Sequence, residues 1–140
     1  MAGNKRYLDL LDSMKELHVK KNAGYAGMDA KDSWANFRMS EQFGVSAFKG
    51  CLVRMSDKYI RVTNLVKNPA NDQVGENIKD TLFDLAAYAL IAICLLEEKN
   101  SQVSQIKESL KEIQFDNGES ANKLRLTLEA ELSSLISENE

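Results

Sequence analysis

A long apolar segment near the middle of the chain limits the folds that are open to it. From residue 81 to residue 96 the side chains are apolar on almost every side of a helix, which is typical of a buried helix. Asp84 interrupts this segment, and the carboxylates Glu76, Asp80 and Asp84 recur at every fourth position. On a helix they therefore lie on one side over roughly two turns. Because a buried carboxylate is costly without a cation or a metal beside it, this segment is a candidate functional site.

The composition is that of an ordinary globular protein. The chain has 140 residues, of which 44% are hydrophobic and 28% charged, with one proline and seven glycines. This length and composition predict a real hydrophobic core, and the scarcity of proline and glycine favours helices. The net charge of -3 gives no reason to expect duplex nucleic acid as a partner.

The sequence also predicts that the chain neither crosses a membrane nor enters an oxidising compartment. The apolar run at residues 85–96 is shorter than the ~20 residues that span a bilayer. Asn4, Lys5 and Arg6 open an amphipathic segment, so no secretory signal peptide is expected. Cys51 and Cys94 stand apart with no CxxC spacing, which favours the reducing cytoplasm over a disulfide framework or a zinc site.

The hydrophobic spacing predicts an all-α fold with a long N-terminal loop and two additional amphipathic helices at the C-terminus. The loop covers residues 22–44 and holds one short helix around residues 34–43. Asn100 and Ser101 are expected to break the chain between a domain at residues 1–99 and an amphipathic tail at residues 100–140. That tail either packs against the domain or forms a subunit interface. The predicted helices cover residues 4–22, 46–67, 73–98, 101–113 and 120 onwards, with caps at Asn4, Ser46 and Ser120.

The carboxylates form the first group of candidate site residues. Glu76, Asp80 and Asp84 share a helix face, and Asp57 on the preceding helix is a possible fourth member. Magnesium prefers oxygen ligands, usually one or two carboxylates together with water and substrate phosphates. Alternatively, Glu76 and Asp80 are solvated near the start of the helix, where its dipole favours acids, and Asp84 forms a structural ion pair with Arg54 or Lys58.

Three basic residues form the second group. Arg54, Lys58 and Arg61 are spaced by four and then three residues, so they share one face of the helix at residues 46–67. Such a face can bind a diphosphate or polyphosphate, with arginine making bidentate contacts and lysine acting as a point charge. The alternative is a solvated basic face without a ligand.

The loop supplies the third group, in which Tyr25 and Trp34 could stack on a base while Asn22 and Asn36 hydrogen-bond its edge. The alternative is a small satellite core under the loop, which is the interpretation preferred for Phe37 and Phe43. His18, the only histidine, is expected to be a packing or surface residue, and the two cysteines to be small apolar core residues.

Four motifs together resemble the nucleotide modification associated domain of the first type, a small and mostly phage-borne family. The resemblance covers roughly residues 7–97, and its most specific parts are RMSDK at residues 54–58 and DTLFDLAAYA at residues 80–89. The motifs are KNAGYAG at residues 21–27, WANF at 34–37, VRMSDKYIR at 53–61 and ENIKDTLFDLAAYA at 76–89.

The predicted helical layout is also similar to the all-α nucleoside triphosphate pyrophosphohydrolases of the MazG and dimeric dUTPase type. This similarity implies a MazG-like bundle that binds a nucleotide, Mg²⁺ held by Glu76, Asp80 and Asp84, catalysis by these three with Asp57, and a homo-oligomer. The nucleotide-binding residues would be Lys21, Asn22, Tyr25, Trp34, Asn36, Arg54, Lys58 and Arg61.

One departure from those enzymes leaves the function open. They carry an EExxE motif on the helix where this chain has Arg54, Lys58 and Arg61 and keeps Asp57 alone. The first expectation is a Mg²⁺-dependent nucleotide pyrophosphohydrolase. The alternative is a non-catalytic protein that sequesters a cyclic or ADP-ribose-type immune signalling nucleotide in the host cytoplasm of a phage. A third alternative is a scaffold in which the acids and bases pair with each other.

Overall fold

The computed structural model describes residues 3–26, 32–72, 75 and 77–137, except for the side chains of residues 25 and 26. These residues form five α-helices and two short 3₁₀ turns at Met39–Phe43 and Pro69–Asn71, and no strand occurs among them. The predicted all-α class is therefore confirmed. The helices are α1 (Lys5–Ala26), α2 (Ala35–Arg38), α3 (Ala47–Lys67), α4 (Ile78–Glu112) and α5 (Glu119–Ser137).

The chain divides into two compact units, residues 1–92 and residues 93–140, and α4 contributes residues to both. None of the described helices is long and apolar enough to cross a membrane.

Helix α1 begins as predicted but extends further than predicted. The Tyr7 amide donates a hydrogen bond to Asn4 Oδ1 (3.1 Å), so Asn4 caps the helix. The expected end near Asn22 is wrong, because the helix continues to Ala26. One glycine inside a helix costs only about 1 kcal/mol relative to alanine, so Gly24 does not end α1. Lys21 and Asn22 therefore lie within the helix and not at its end.

The short segment after the undescribed residues 27–31 is ordered by Asp32. Its carboxylate accepts hydrogen bonds from the Trp34 amide (2.9 Å) and from Arg38 Nε (2.6 Å). Ser40 Oγ donates to the Phe37 carbonyl (2.9 Å), and Gly44 ends the segment with a left-handed φ of 73°. The predicted short helix around residues 34–43 is confirmed as α2 and the 3₁₀ turn after it.

Helix α3 starts at its predicted cap, since the Lys49 amide donates to Ser46 Oγ (3.3 Å). Its buried side chains are Ala47, Cys51 and Leu65, whereas Leu52, Tyr59 and Val66 are exposed. The buried face is the one that also carries Lys58, so the chain places a cation beside its core.

The predicted break at Asn100 and Ser101 is wrong, because α4 continues without interruption to Glu112. Ser104 Oγ donates a hydrogen bond to the Asn100 carbonyl (3.0 Å), so the hydroxyl group finds its acceptor within the helix. Buried or half-buried positions also continue at helical spacing on both sides of the expected break; they are Leu95, Lys99, Val103, Ile106 and Leu110. Continued burial of one face outweighs the weak local preference of asparagine and serine to end a helix.

Arg125 stabilises the turn between α4 and α5. Its guanidinium donates to the carbonyls of Ile113 (2.7 Å) and Asp116 (3.0 Å), which satisfies two acceptors after the end of α4. The predicted interruption between residues 113 and 120 is confirmed, but α5 begins at Glu119, so the expected cap at Ser120 is wrong. The C-terminal unit therefore contains part of α4 and one further helix instead of two separate tail helices.

Candidate functional site

A pocket in the first unit is lined by polar and aromatic side chains from four helices and from the two residues before α2. Helix α1 contributes residues at positions i, i+3, i+4, i+7 and i+8, and α4 contributes positions i, i+3, i+4 and i+7, so each helix presents one continuous face. The lining residues are Met14, Leu17, His18, Lys21 and Asn22 of α1, Ser33 to Phe37 except Ala35, Arg54 of α3, and Asp84, Ala87, Tyr88 and Ile91 of α4.

Asp84 forms the electrostatic centre of this pocket. Its Oδ1 accepts a hydrogen bond from Lys21 Nζ (2.9 Å) and its Oδ2 forms a salt bridge with Lys58 Nζ (2.8 Å). Burial tends to raise the pKa of Asp84, but the hydrogen bonds from Lys58 and Lys21 outweigh it and hold that pKa below its ordinary value. Asp84 is therefore an ionised carboxylate that joins α1 and α3 to α4.

An aromatic wall forms one side of the pocket. The Trp34 ring lies 5.7 Å from the His18 ring with a tilt of 35°, and 6.5 Å from the Phe37 ring in an edge arrangement. Phe37 in turn meets Tyr88 edge to face at 5.9 Å, and the Arg54 guanidinium lies 5.0 Å above the Phe37 ring. These contacts fix the ring positions before any ligand binds.

Several polar groups on the pocket wall have no partner within the part of the chain that the structure describes. The side chains of Asn22, Asn36 and Arg54 form no hydrogen bond or ion pair there, and neither does the Tyr88 hydroxyl. Two amides, a phenol and a guanidinium supply both donors and acceptors. Such a set can bind a ligand that has a polar ring edge and an anionic group.

The structure brings together most of the predicted binding residues. Lys21, Asn22, Trp34, Asn36 and Arg54 all line the pocket, together with Asp84. Lys58 does not line it but reaches Asp84 from α3. Phe37 is buried, as expected for a satellite core, but Phe43 is 82% exposed, so that expectation is wrong for Phe43.

Other predicted site residues lie elsewhere. Arg61 donates from Nε to Thr81 Oγ1 (3.4 Å) and from Nη2 to Asp72 (3.2 Å), away from the pocket lining. Asp57 and Asp80 are exposed and do not line the pocket. Glu76 and the Tyr25 side chain lie outside the described residues.

The described carboxylates do not fit a magnesium site. Magnesium needs carboxylate oxygens that are open to it, but both oxygens of Asp84 already accept contacts from lysine ammonium groups. Within residues 3–26, 32–72 and 77–137, no group of three or more His, Cys, Asp or Glu side chains is placed to hold a metal ion. The predicted magnesium set of Glu76, Asp80 and Asp84 remains a prediction, since Glu76 is not described.

Among the ring-bearing residues of the pocket, sequence reasoning did not assign His18 and Tyr88 to the site. His18 faces Trp34, and Tyr88 closes the aromatic wall against Phe37. Helical spacing carried a signal for both, because Tyr88 follows Asp84 by four residues and His18 precedes Lys21 by three.

Next to the pocket, a hydrogen bond from Cys51 joins α3 to α4 at Tyr88. The Cys51 thiol is fully buried and donates a hydrogen bond to the Tyr88 carbonyl (3.3 Å). Burial raises the pKa of this thiol, although the positive charge of Arg54 opposes the shift. Cys51 is therefore a protonated core residue, as the sequence predicted, and it fixes α3 against α4 below the site.

The size of the pocket limits how a ligand can bind. Its volume is about 90 Å³, whereas a cavity of roughly 150 Å³ holds a benzene ring. The enclosed part can thus take a phosphate group or one edge of a ring, and the rest of a larger ligand must lie in the open mouth.

Comparison with protein-family models, with curated proteins and with solved structures finds no match to this chain. The functional argument therefore depends on the geometry of the pocket.

Proposed function

We propose that the protein binds a nucleotide in the pocket between α1, α2, α3 and α4. The observation that supports this proposal is that one pocket holds both an aromatic wall and the Arg54 guanidinium, which forms no ion pair within the described residues. A nucleotide combines a flat ring with an anionic phosphate, and these two features match the two kinds of group.

Each part of the ligand has a place in this proposal. The base lies against the Trp34 ring at the mouth, where Asn22 and Asn36 hydrogen-bond its polar edge. The phosphate enters the charged end, where Arg54 binds it through two parallel N–H groups and Lys21 adds a point charge.

Binding without hydrolysis is the function that the geometry supports best. Water attack at phosphorus in the predicted hydrolase needs a metal to orient the phosphates, and Asp84 is committed to Lys21 and Lys58 instead. We therefore place the sequestering function, with a cyclic or ADP-ribose-type immune signal as ligand, ahead of the magnesium-dependent pyrophosphohydrolase. The signalling role and the phage origin come from the sequence resemblance.

Trp34 is the only tryptophan of the chain, so its fluorescence reports directly on the pocket. Titration with a panel of nucleoside mono-, di- and triphosphates, cyclic nucleotides and ADP-ribose should change its emission in a saturable way for at least one ligand. The change should persist in EDTA, and heat denaturation should release the ligand intact. A flat response to the whole panel contradicts nucleotide binding, and recovery of cleaved ligand only with Mg²⁺ supports the hydrolase.

We also propose that the protein forms a homo-oligomer in the cytoplasm. Large apolar side chains on α3 and α4 remain exposed in the first unit, including Tyr59 at 62% and Leu82 at 48%, on either side of a shallow apolar groove. Burial of such side chains against another copy would be favourable. Sedimentation equilibrium measures the size, and a monomer at all concentrations would contradict this proposal.

A further inference from the structure

The charged end of the pocket already holds an anion, which is supplied by the protein itself. The Asp84 carboxylate lies between Lys21 Nζ (2.9 Å) and Lys58 Nζ (2.8 Å), and its side chain is only 16% exposed. A carboxylate between two ammonium groups occupies the place that a phosphate oxygen would take in a complex.

The charges at this end do not cancel. Lys21 and Arg54 both line the pocket, whereas Asp84 is the single carboxylate among its described lining residues, which leaves the lining with a net positive charge. A terminal phosphate group carries about -1.5 to -2 charges at neutral pH. The charge of the pocket therefore matches a terminal phosphate or a diphosphate better than an uncharged nucleoside.

The two lysines differ in their freedom to move towards a ligand. Lys21 is 50% exposed and lines the pocket, whereas Lys58 is 23% exposed and lies behind Asp84. A lysine side chain is long and flexible, so Lys21 can turn from Asp84 to an incoming phosphate while Lys58 keeps the carboxylate neutralised.

We propose that Asp84 is an internal counter-anion that positions Lys21 for a phosphate group of the ligand and competes with that phosphate for it. This inference deepens the proposed nucleotide binding and rests on it. In the empty pocket, Asp84 then reduces the repulsion between the cationic side chains. It also weakens the binding of ligands whose negative charge is too small to compete with the carboxylate for Lys21.

The test replaces Asp84 by its neutral isostere and measures inorganic phosphate as the probe. In Asp84→Asn the competing charge is gone, so phosphate should bind about tenfold tighter than to the wild type. Asp12→Asn is the matched control, because it removes the same charge from an exposed position on α1 outside the pocket. Its phosphate affinity should stay within about twofold of the wild type. Calorimetry of the full chain, in a buffer without multivalent anions, gives both values.

If Asp84 only stabilised the fold, or bound a metal, phosphate affinity should not rise in Asp84→Asn, because neither role involves competition with an anion for Lys21. Unchanged or weaker phosphate binding by folded Asp84→Asn overturns the inference. If that variant does not fold, Lys21→Met decides: a loss of about tenfold in phosphate affinity supports the inference, and an unchanged affinity overturns it.

A separate experiment, the titration of the wild type with nucleotides followed by Trp34 fluorescence, tests the proposed function. Nucleotide binding by the wild type, combined with no gain of phosphate affinity in Asp84→Asn, would refute the counter-anion role and leave the proposed function standing. A gain in that variant without nucleotide binding by the wild type would refute the proposed function and keep the competition between Asp84 and phosphate.

Discussion

At Asp84, burial and hydrogen bonding act on one carboxyl group in opposite directions. Burial tends to raise its pKa, and the contacts with Lys58 and Lys21 lower it to below the ordinary value. The same pair of contacts explains how an apolar helix tolerates a charge, since each carboxylate oxygen has an ammonium partner. The sequence analysis predicted part of this arrangement, because it proposed a structural ion pair between Asp84 and Arg54 or Lys58 but did not include Lys21.

The lowered pKa makes a prediction about stability and pH. Because the pKa of Asp84 is lower in the folded than in the unfolded state, its ionised form stabilises the fold above about pH 3.9, the value of a free aspartate. Asp84→Asn should therefore lower the free energy of unfolding at pH 7 by about 1–3 kcal/mol. This loss should shrink as the pH falls from about 4 through the lowered pKa, as urea unfolding at several pH values would show. A loss of the same size at pH 3 and pH 7 would contradict it, and Asp80→Asn is the control.

Arg54 and Arg61 lie two turns apart on α3 and yet have different roles. Arg54 lines the pocket above the Phe37 ring, whereas Arg61 binds Asp72 and Thr81. We expect Arg54→Gln to weaken nucleotide binding about tenfold, by loss of a charge-assisted contact, with little change in stability. The same substitution at Arg61 should lower stability and leave affinity unchanged.

Trp34 fluorescence titration and urea unfolding together separate these two effects. Lys49→Gln, which removes an exposed charge from the same helix outside the pocket, serves as a control for net charge. Equal losses of affinity in the Arg54 and Arg61 variants would show that the whole basic face of α3 binds the ligand, as the sequence alone predicted.

On the scale of helices, the position of the aromatic wall depends on a close approach between α3 and the turn after α2. A Cβ atom at Gly50 would lie 2.6 Å from Ser40 Oγ and 2.9 Å from Ser40 Cβ. Ser40 Oγ also donates to the carbonyls of Phe37 (2.9 Å) and Ser46 (3.2 Å). The glycine thus allows the segment with Trp34 and Phe37 to reach α3.

Gly50→Ala should therefore destabilise the protein although alanine is the better helix former. We expect a loss of about 1–3 kcal/mol from overpacking, and weaker nucleotide binding because the segment that carries Trp34 moves. Gly24→Ala in α1 is the matched control, since within the described part of the chain no atom beyond its own helix backbone and its neighbours lies within 4 Å of the added Cβ. That variant should gain about 0.5–1 kcal/mol from helix propensity. Thermal unfolding measures both, and stabilisation by both substitutions would refute the close-packing argument.

For the molecule as a whole, the residues of the pocket fall between Met14 and Ile91 and so belong to the first unit. The second unit is held by its own interactions, among them the three hydrogen bonds that Arg125 donates to Ile113, Asp116 and Asn122. Ligand binding and the stability of the C-terminal hairpin should therefore be separable.

Arg125→Met tests this separation. Loss of the guanidinium removes the hydrogen bonds that tie α5 to the turn after α4, so hydrogen exchange in residues 119–137 should become faster. The nucleotide affinity reported by Trp34 should stay within about twofold, that is, within about 0.4 kcal/mol. A large loss of affinity with an intact first unit would show that the second unit takes part in binding.

The sequence by itself determined the helical class, the caps at Asn4 and Ser46, the short helix near Trp34 and most of the polar residues of the pocket. These features depend on hydrophobic spacing and on helix capping, which are determined by residues close together in the sequence. It also identified Asp84 as the residue where burial and charge conflict, because a single carboxylate in an apolar helix is visible without any structure.

Only the tertiary structure decided which partners the charged residues take and where the long helices end. Arg54 and Arg61 have the same spacing signal, but contacts with Phe37, Asp72 and Thr81 separate them. Helix α4 passes through Asn100 because burial of one face at Leu95, Lys99 and Val103 outweighs a weak local preference. Such partners come from distant parts of the chain, and local sequence patterns carry no information on which of them will meet.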